Sequence, residues 1–588
     1  MTSENKFNFE QSVTDIGFSQ RLGVISQVLH VPMESSISLE NWQKVTEQQD
    51  LSREYHIVLA HLLAFARYPH PEETEDLLRL WQQRPFIEIL QQLFFSNEYS
   101  HLKKSGIQFH LVIPNADKLY VDISHTISCR YLSGIQRVVR FLSQPWIDNR
   151  APVSFFIFRN DAPRPSLVTV EEEEYFSQWT KSYGAQTGSL VKNVAANGSQ
   201  KIVNLKVAAW RLRPAWHLAN RVGRRVKREF VKQKYLRPAN DSPVPKKNQV
   251  LEVPVFLAHR ILMPELCTEN HRLDFYLSLK QSLPKSHLSM VLYDFIPIWH
   301  PEYVEISLIA YVSYLKLLRI VDSISCISGE IERQARHIVT CIREPLDVTI
   351  ATHDLPGVID ITHVPNNRDE TVLSTALPYV LCVGTIEVRK NQRTLLHACQ
   401  KLMREGVKFR LIFAGNPGWK AEQFVADAKK AQNEGLEVEI KYAVAEEELI
   451  KLYEGCLFTV FCSHAEGFGL PIVESLRAGK PVVLSDRGCM RDLGNRLGGC
   501  LFVNPNKQES IENAVRTLLS DKEALDKLRS SISFEDWPDW NQYAASILSF
   551  CFIKPDADNN FPEKIAPSSQ TQRATFTRGT FKEHQYTV

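Results

Sequence analysis

Tyr379-Val-Leu-Cys-Val-Gly-Thr-Ile-Glu-Val-Arg-Lys-Asn391 reads as a buried strand that breaks on a glycine and then delivers two cations. Five apolar residues in a row suit a strand covered on both faces, as in a parallel sheet. Gly384 permits a tight turn at the carboxyl edge, where open α/β sheets bind their ligands. Arg389 and Lys390 then stand at that edge. Arg can fork phosphate oxygens and Lys acts as a point charge.

Working outward, more strands follow with helical patterns between them: Phe409–Ala414, Val438–Lys441, Phe458–Phe461 and Pro481–Leu484. Such alternation requires parallel strands and crossover connections. Phe413-Ala-Gly-Asn-Pro-Gly-Trp419 closes the second strand on a further glycine turn at Gly415. After the fourth strand comes Glu466-Gly-Phe-Gly-Leu-Pro-Ile-Val-Glu474, with two carboxylates eight positions apart. Gly467 and Gly469 allow close backbone approach to a ligand. The helix start offers amides and a partial positive charge to a phosphate. Donors for a diphosphate beside acceptors for sugar and ribose hydroxyls are what a nucleotide sugar needs. Taken alone, the motif reads equally as a helix N-terminus with two solvated glutamates. Three ligand-type loops on one sheet edge are harder to explain structurally.

Upstream, Leu119–Ile123 reads as a strand and Ser133-Gly-Ile-Gln-Arg-Val-Val-Arg-Phe141 as a glycine turn entering a helix, the first unit of another doubly wound sheet. Val153–Phe158, Ser289–Tyr293 and Ser323–Ile327 continue it. The resulting organisation is a helical module over 1–110, punctuated by Pro69, Pro71 and Pro85, and a Rossmann-like domain over 111–352. A linker over 353–375, a second Rossmann-like domain over 376–553 and a disordered tail over 554–588 complete it.

The first α/β domain is interrupted at 192–247. Between Lys206 and Arg237 eleven cations, Trp210, Trp216 and Phe230 recur at roughly helical spacing, with Glu229 almost alone against them. A solvated or disordered insertion, a membrane-surface contact over 206–237 and an RNA contact are the three readings, and no recognised RNA module supports the last.

The 588 residues exceed one core, and a net charge of +2 excludes a whole-chain field toward nucleic acid. The eleven cysteines form no C-x-x-C pair, which suits a reducing cytoplasm. No signal peptide is legible at Met1, and the most apolar stretch, Ile306–Val321, is broken by Lys316 and Arg319.

Gly384 with Arg389-Lys390-Asn391, Ala414-Gly415 with Gly418-Trp419, Leu449 with Leu452-Tyr453, the Glu466 to Glu474 phrase and Ala478-Gly-Lys-Pro-Val-Val483 together resemble the retaining family 4 glycosyltransferases. The nearest look is the branch of bacterial O-antigen and capsule mannosyltransferases. Tyr120-Val-Asp122, Ser133–Arg137, Tyr293-Asp-Phe-Ile-Pro297 and Ile327-Ser328 agree more loosely. The resemblance implies a GT-B fold: two Rossmann-like domains facing across a cleft, here with the helical module added.

It also implies roles. Arg389 and Lys390 would grip a donor diphosphate, Glu466 would hold the transferred sugar and Glu474 the ribose. Amides of Phe468, Gly469 and Leu470 would touch phosphate or sugar, and Gly134 would face the diphosphate across the cleft. Such enzymes need no metal and no cofactor beyond the sugar nucleotide. GDP-mannose is the implied donor, with UDP-hexose or dTDP-rhamnose as others, and the acceptor is a glycan or a polyprenyl-linked saccharide.

Two departures stand out. Thr385 and Tyr293 occupy places where relatives often carry Arg and His. Asp294 or His300 would then substitute for that His, though each reads more readily as structural. The same departures favour a rival, a non-catalytic scaffold with a degenerate donor site. A nicotinamide oxidoreductase would need a G-x-G-x-x-G that Ser133–Arg137 does not supply.

Overall fold

The computed structural model describes residues 18–28, 52–84, 86–94, 96, 98, 108–128, 134–159, 164–177, 250–304, 308–343, 347–357 and 377–553. The basic insertion, most of the linker and the tail expected from the sequence lie outside the described residues.

Two parallel sheets organise the chain. The first contains β2 (Leu119–Asp122), β3 (Val153–Phe158), β4 (Pro165–Leu167), β6 (Arg260–Met263), β7 (His287–Leu292), β8 (Ser323–Cys326) and β9 (Thr349–Thr352) in the order β4-β3-β2-β6-β7-β8-β9. Only β4 runs antiparallel. The second contains β10 (Tyr379–Val383), β11 (Arg410–Ala414), β12 (Val438–Lys441), β13 (Phe458–Phe461), β14 (Val482–Ser485) and β15 (Cys500–Val503) in the order β12-β11-β10-β13-β14-β15. Both step outward from their first strand and then resume on its other side, the doubly wound pattern whose switch point is a ligand crevice. These are the two doubly wound parallel sheets of the α/β class anticipated above. A small parallel pair, β1 (Gln108–Val112) with β5 (Val250–Pro254), stands apart.

Strands β2, β8, β13 and β14 are buried along their whole length, and their apolar-rich runs, interrupted by one polar residue in β2, β13 and β14 and by two serines in β8, made them legible. Strands β1, β4, β5, β6, β9 and β15 were not anticipated. β9 and β15 each bury a single residue fully and carry no strong hydrophobic signature, whereas β6 is buried at three of its four residues and is too short for its apolar run to stand out.

Among the described residues four helices precede the first sheet: Phe18–Val28, Arg53–Phe65, Pro71–Gln83 and Phe86–Phe94. The helix Arg53–Phe65 stops at Ala66, which takes a left-handed backbone (φ 49°), and Pro71 opens the next helix. Arg164 beside β4 donates to the carbonyls of Phe65 and Ala66, and the Tyr68 hydroxyl donates to Pro254 O while accepting from Phe256 N. These buried hydrogen bonds tie the helices to the first sheet.

The last helix, Trp540–Phe552, belongs by chain order to the second half and packs on the first. Trp146 donates to Ala544 O at 3.0 Å, and Trp540 stacks on Phe141 with centroids 5.4 Å apart. Among the described residues no helix is long and apolar enough to cross a membrane.

At the carboxyl edge of the second sheet the loops after β10 and β11 run side by side. Ile386 N donates to Asn416 O, and Gly418 N to Ile386 O. A Cβ at Gly415 would lie 1.9 Å from the Gly384 carbonyl oxygen. Backbone cannot yield as a side chain can, so Gly415→Ala is expected to destabilise the protein by about 1–3 kcal/mol, read from the midpoint of urea unfolding.

Candidate functional site

The two sheets face each other across a cavity of ≈ 670 Å³. Each α/β half contributes its first βα turn. In the first half that turn is anchored by a buried polar network at the end of β2. Asp122 accepts from Arg272 at 2.8 Å and from Tyr276 at 2.7 Å. Glu265, also against Arg272, takes the amides of His125 and Thr126. The chain then re-enters a helix at Gly134, where it meets Leu470 of the other half: a Cβ at Gly134 would come 3.9 Å from that side chain.

In the second half a 3₁₀ turn, Val388–Lys390, carries both cations. Asn391 ends it in a left-handed conformation (φ 59°), and its side chain donates to Cys462 O and Pro505 O. This buried amide therefore locks the cation loop to the loop after β13. Glu466 lies at the end of that second loop. Its Oε1 is 2.6 Å from Lys390 Nζ and its Oε2 is 2.7 Å from Arg389 Nη1. Arg389 also donates to Ala465 O and pairs with Glu387 at 2.7 Å. Lys390 lies over the Phe461 ring, 4.9 Å from its centroid.

The electrostatics follow from this knot. Burial works to raise the Glu466 carboxyl, but Arg389 and Lys390 outweigh it and hold the group at about 2. Glu474, on the helix Leu470–Arg477, behaves oppositely. Burial raises it, against the pull of Arg137 at 3.6 Å and a hydrogen bond from the Tyr453 hydroxyl at 3.0 Å. Asp294 is raised by burial as well, opposed by the Ile296 amide and Arg389 and reinforced by Glu466.

The structure brings the expected residues together. Gly134, Asp294, Gly384, Arg389, Lys390, Gly415, Glu466, Gly467, Phe468, Gly469, Leu470 and Glu474 all line the one cavity. Gly467 does so for a reason other than ligand approach. A Cβ there would sit 2.3 Å from Tyr293 O, and Ser328 donates to Gly467 O at 2.7 Å. The missing side chain admits the opposite half. His300 is not among the lining residues. It is half-exposed, 3.5 Å from Glu302, and stacks on Tyr303. The Tyr293 hydroxyl is committed to Pro264 O at 2.7 Å.

Among the lining residues that sequence reasoning did not single out are Glu387, Asn416 and Arg137. Glu387 was visible only as part of the cation loop. Asn416 orders the next loop by accepting from Ala443 N at 2.8 Å. Arg137 sits in the first turn of the opposing helix, and a cation just after the first-turn glycine was the available signal. Among the described residues no group of three or more His, Cys, Asp or Glu side chains could hold a metal ion.

Residues 364–532 match the family described as "Glycosyl transferases group 1" and constitute a domain of that kind. The chain is similar to the serotype-specific mannosyltransferase WbdA of Escherichia coli, 25% identical over 269 residues, covering 44% of this chain and 32% of the relative. It is also similar to O-antigen chain mannosyltransferase B of Escherichia coli, 35% identical over 144 residues, covering 24% of this chain and 37% of the relative. The chain thus spans about a third of the length of these curated relatives. A crystal structure of Anabaena Alr3699/HepE in complex with UDP and glucose aligns with a TM-score of 0.45 and 15% identity, over 74% of this chain and 99% of that one.

A carboxyl depressed in the folded state stabilises that state above its ordinary value of 4.5, and this stabilisation disappears as pH falls through about 2. Glu466→Gln leaves two buried cations short of a partner and is expected to cost about 3–5 kcal/mol at neutral pH. Its stability should also fall less steeply than that of the wild type between those two pH values, measured by chemical denaturation across the acid range.

Proposed function

We propose that this chain is a retaining glycosyltransferase that moves a hexose, mannose from GDP-mannose in the first instance, onto a glycan or polyprenyl-linked saccharide. The observation that carries the reading is the convergence of Arg389, Lys390, Glu466 and Glu474 in one cleft between two Rossmann-like sheets. The group 1 domain and the names of the O-antigen mannosyltransferase relatives support it.

In this reading the helix Leu470–Arg477 and the cations of the facing loop receive the diphosphate. Glu466, held ionised by its two partners, accepts hydrogen bonds from hydroxyls of the transferred sugar. Glu474 accepts from the ribose. As the glycosidic bond to the diphosphate breaks, positive charge grows on the sugar ring and negative charge on the leaving phosphate. Lys390 stabilises the latter, which is where preorganised charge accelerates a reaction most. The leaving phosphate takes the proton of an acceptor hydroxyl on the same face, so the protein supplies no strong base. Asp294, raised by burial and set against the same cavity, is placed to orient the acceptor or the sugar.

A lipid-linked acceptor would also give the basic stretch at 206–237 a purpose at an anionic, cytoplasmic leaflet, where each cation contributes about 1 kcal/mol. UDP-hexose and dTDP-rhamnose are the other donors to test.

Two measurements test the reading. In thermal unfolding against GDP-mannose, UDP-hexoses and dTDP-rhamnose, the true donor at a hundred times its Kd should add about 2.7 kcal/mol of stability. Lys390→Ala leaves Glu466 paired with Arg389, so this variant should fold and lose roughly 10²–10³ in kcat, as for removal of a comparable electrostatic group. Folded protein that neither binds nor hydrolyses any sugar nucleotide would instead identify a scaffold.

A further inference from the structure

Among the described residues the cleft presents three cations, and they are not equally committed. Arg389 holds Glu466, Glu387 and the Ala465 carbonyl at once. Lys390 is drawn against Glu466 and the Phe461 ring. Two carboxylates therefore balance two cations on this wall, which leaves little net positive charge for a dianion. Thr385 lines the same wall and adds none.

Arg137 stands on the opposite wall, in the first turn of the helix Gly134–Asp148, and lines the same cavity. Its nearest carboxylate oxygen is Glu474 Oε1, 3.6 Å away, beyond hydrogen-bond range. That oxygen accepts no hydrogen bond although Glu474 is only 1% exposed. A buried acceptor left in this state is costly. Arg137 compensates its charge without satisfying its lone pairs, while the other oxygen is served by Tyr453. The pair is thus loose, buried on the carboxylate side and open to the cavity.

We infer that Arg137 is the exchangeable phosphate cation of this site: it neutralises Glu474 in the empty cleft and passes to the donor's diphosphate when a ribose hydroxyl satisfies Glu474 Oε1. This rests on the donor reading above. No covalent bond and no proton changes hands. One arginine–carboxylate contact is replaced by an arginine–phosphate fork, and the carboxylate gains a neutral hydroxyl donor. The exchange couples recognition of the nucleoside to recognition of the diphosphate. Because Arg137 and Glu474 come from opposite halves, it also couples both to the way the halves face each other.

Calorimetric titration of the full chain with GDP, UDP and dTDP, each beside its nucleoside, tests this. For the diphosphate that wild type binds, Arg137→Gln should weaken affinity at least tenfold. The matching nucleoside should bind unchanged or more tightly, since Arg137 no longer competes for Glu474. Adding Thr385→Arg should return most of the lost diphosphate affinity from the other wall. Equal losses for diphosphate and nucleoside would make Arg137 a structural residue and overturn the inference, as would unchanged diphosphate binding. Should Arg137→Gln fail to fold, Arg137→Lys carries the test. It keeps the charge and loses the fork, so diphosphate affinity should drop several-fold with the nucleoside held constant; wild-type values for both would overturn the inference. A wild-type chain that binds none of the three diphosphates would bring down the donor reading first, and this inference with it.

Discussion

A carboxylate buried between two cations organises this cleft. Glu466 lies against Lys390 and Arg389 at 2.6 and 2.7 Å, and each of the three is expensive to bury alone. Together they join two loops that belong to different strands, β10 and β13. Once joined, those loops have little freedom. Asn391 closes the same seam through two backbone carbonyls, and His464 N donates to Arg389 O at 2.8 Å. The cation loop is therefore rigid before any ligand arrives, which is the condition for electrostatic stabilisation without reorganisation.

The rigidity carries an electrostatic cost of its own. A wall whose cations are already matched by Glu466 and Glu387 meets a diphosphate with less net charge than two free cations would. Further charge comes from helix amides and from the facing wall, where Arg137 is the cation among the described lining residues. The contrast between Glu466 and Glu474 follows the same logic. Both are buried, yet one is held far below the ordinary carboxylate range and the other above it. The difference is the number and closeness of cations. Glu466 has two in hydrogen-bonding contact; Glu474 has one at 3.6 Å. An ionised acceptor and a loosely compensated one suit different tasks, the first a permanent grip on hydroxyls and the second a contact made on binding.

Close approach of the two halves depends on backbone as much as on charge. The Gly467 peptide meets the Tyr293 carbonyl where any side chain would collide. Ser328 then seals the contact with a hydrogen bond to Gly467 O. Gly467 thus shapes the cleft by letting one half into the other, while Gly469 takes a left-handed backbone (φ 112°) against Ile472 of its own half. Read as a string of letters, the same glycines suggest room for a ligand. Both readings begin from a missing Cβ, and only the neighbour that fills the space separates them.

The sequence by itself determined the α/β class, most of the central strands and the loops that would gather at one sheet edge. Those signals are local: apolar-rich runs, glycine turns, and the fixed spacing of Glu466 and Glu474; the short central strand β6 escaped them. The weakly buried strands β9 and β15 escaped because half-exposed edges leave no clear pattern. Tertiary structure alone decided which charges pair. Lys390 and Glu466 are 76 residues apart in sequence, and Arg137 and Glu474 lie on helices of different halves. An ion pair is a matter of ångströms, and chain order says nothing about distance across a cleft. For the same reason His300, a plausible participant by residue type, proved to stand outside the cavity, while Glu387 and Arg137, which local pattern did not single out, line it.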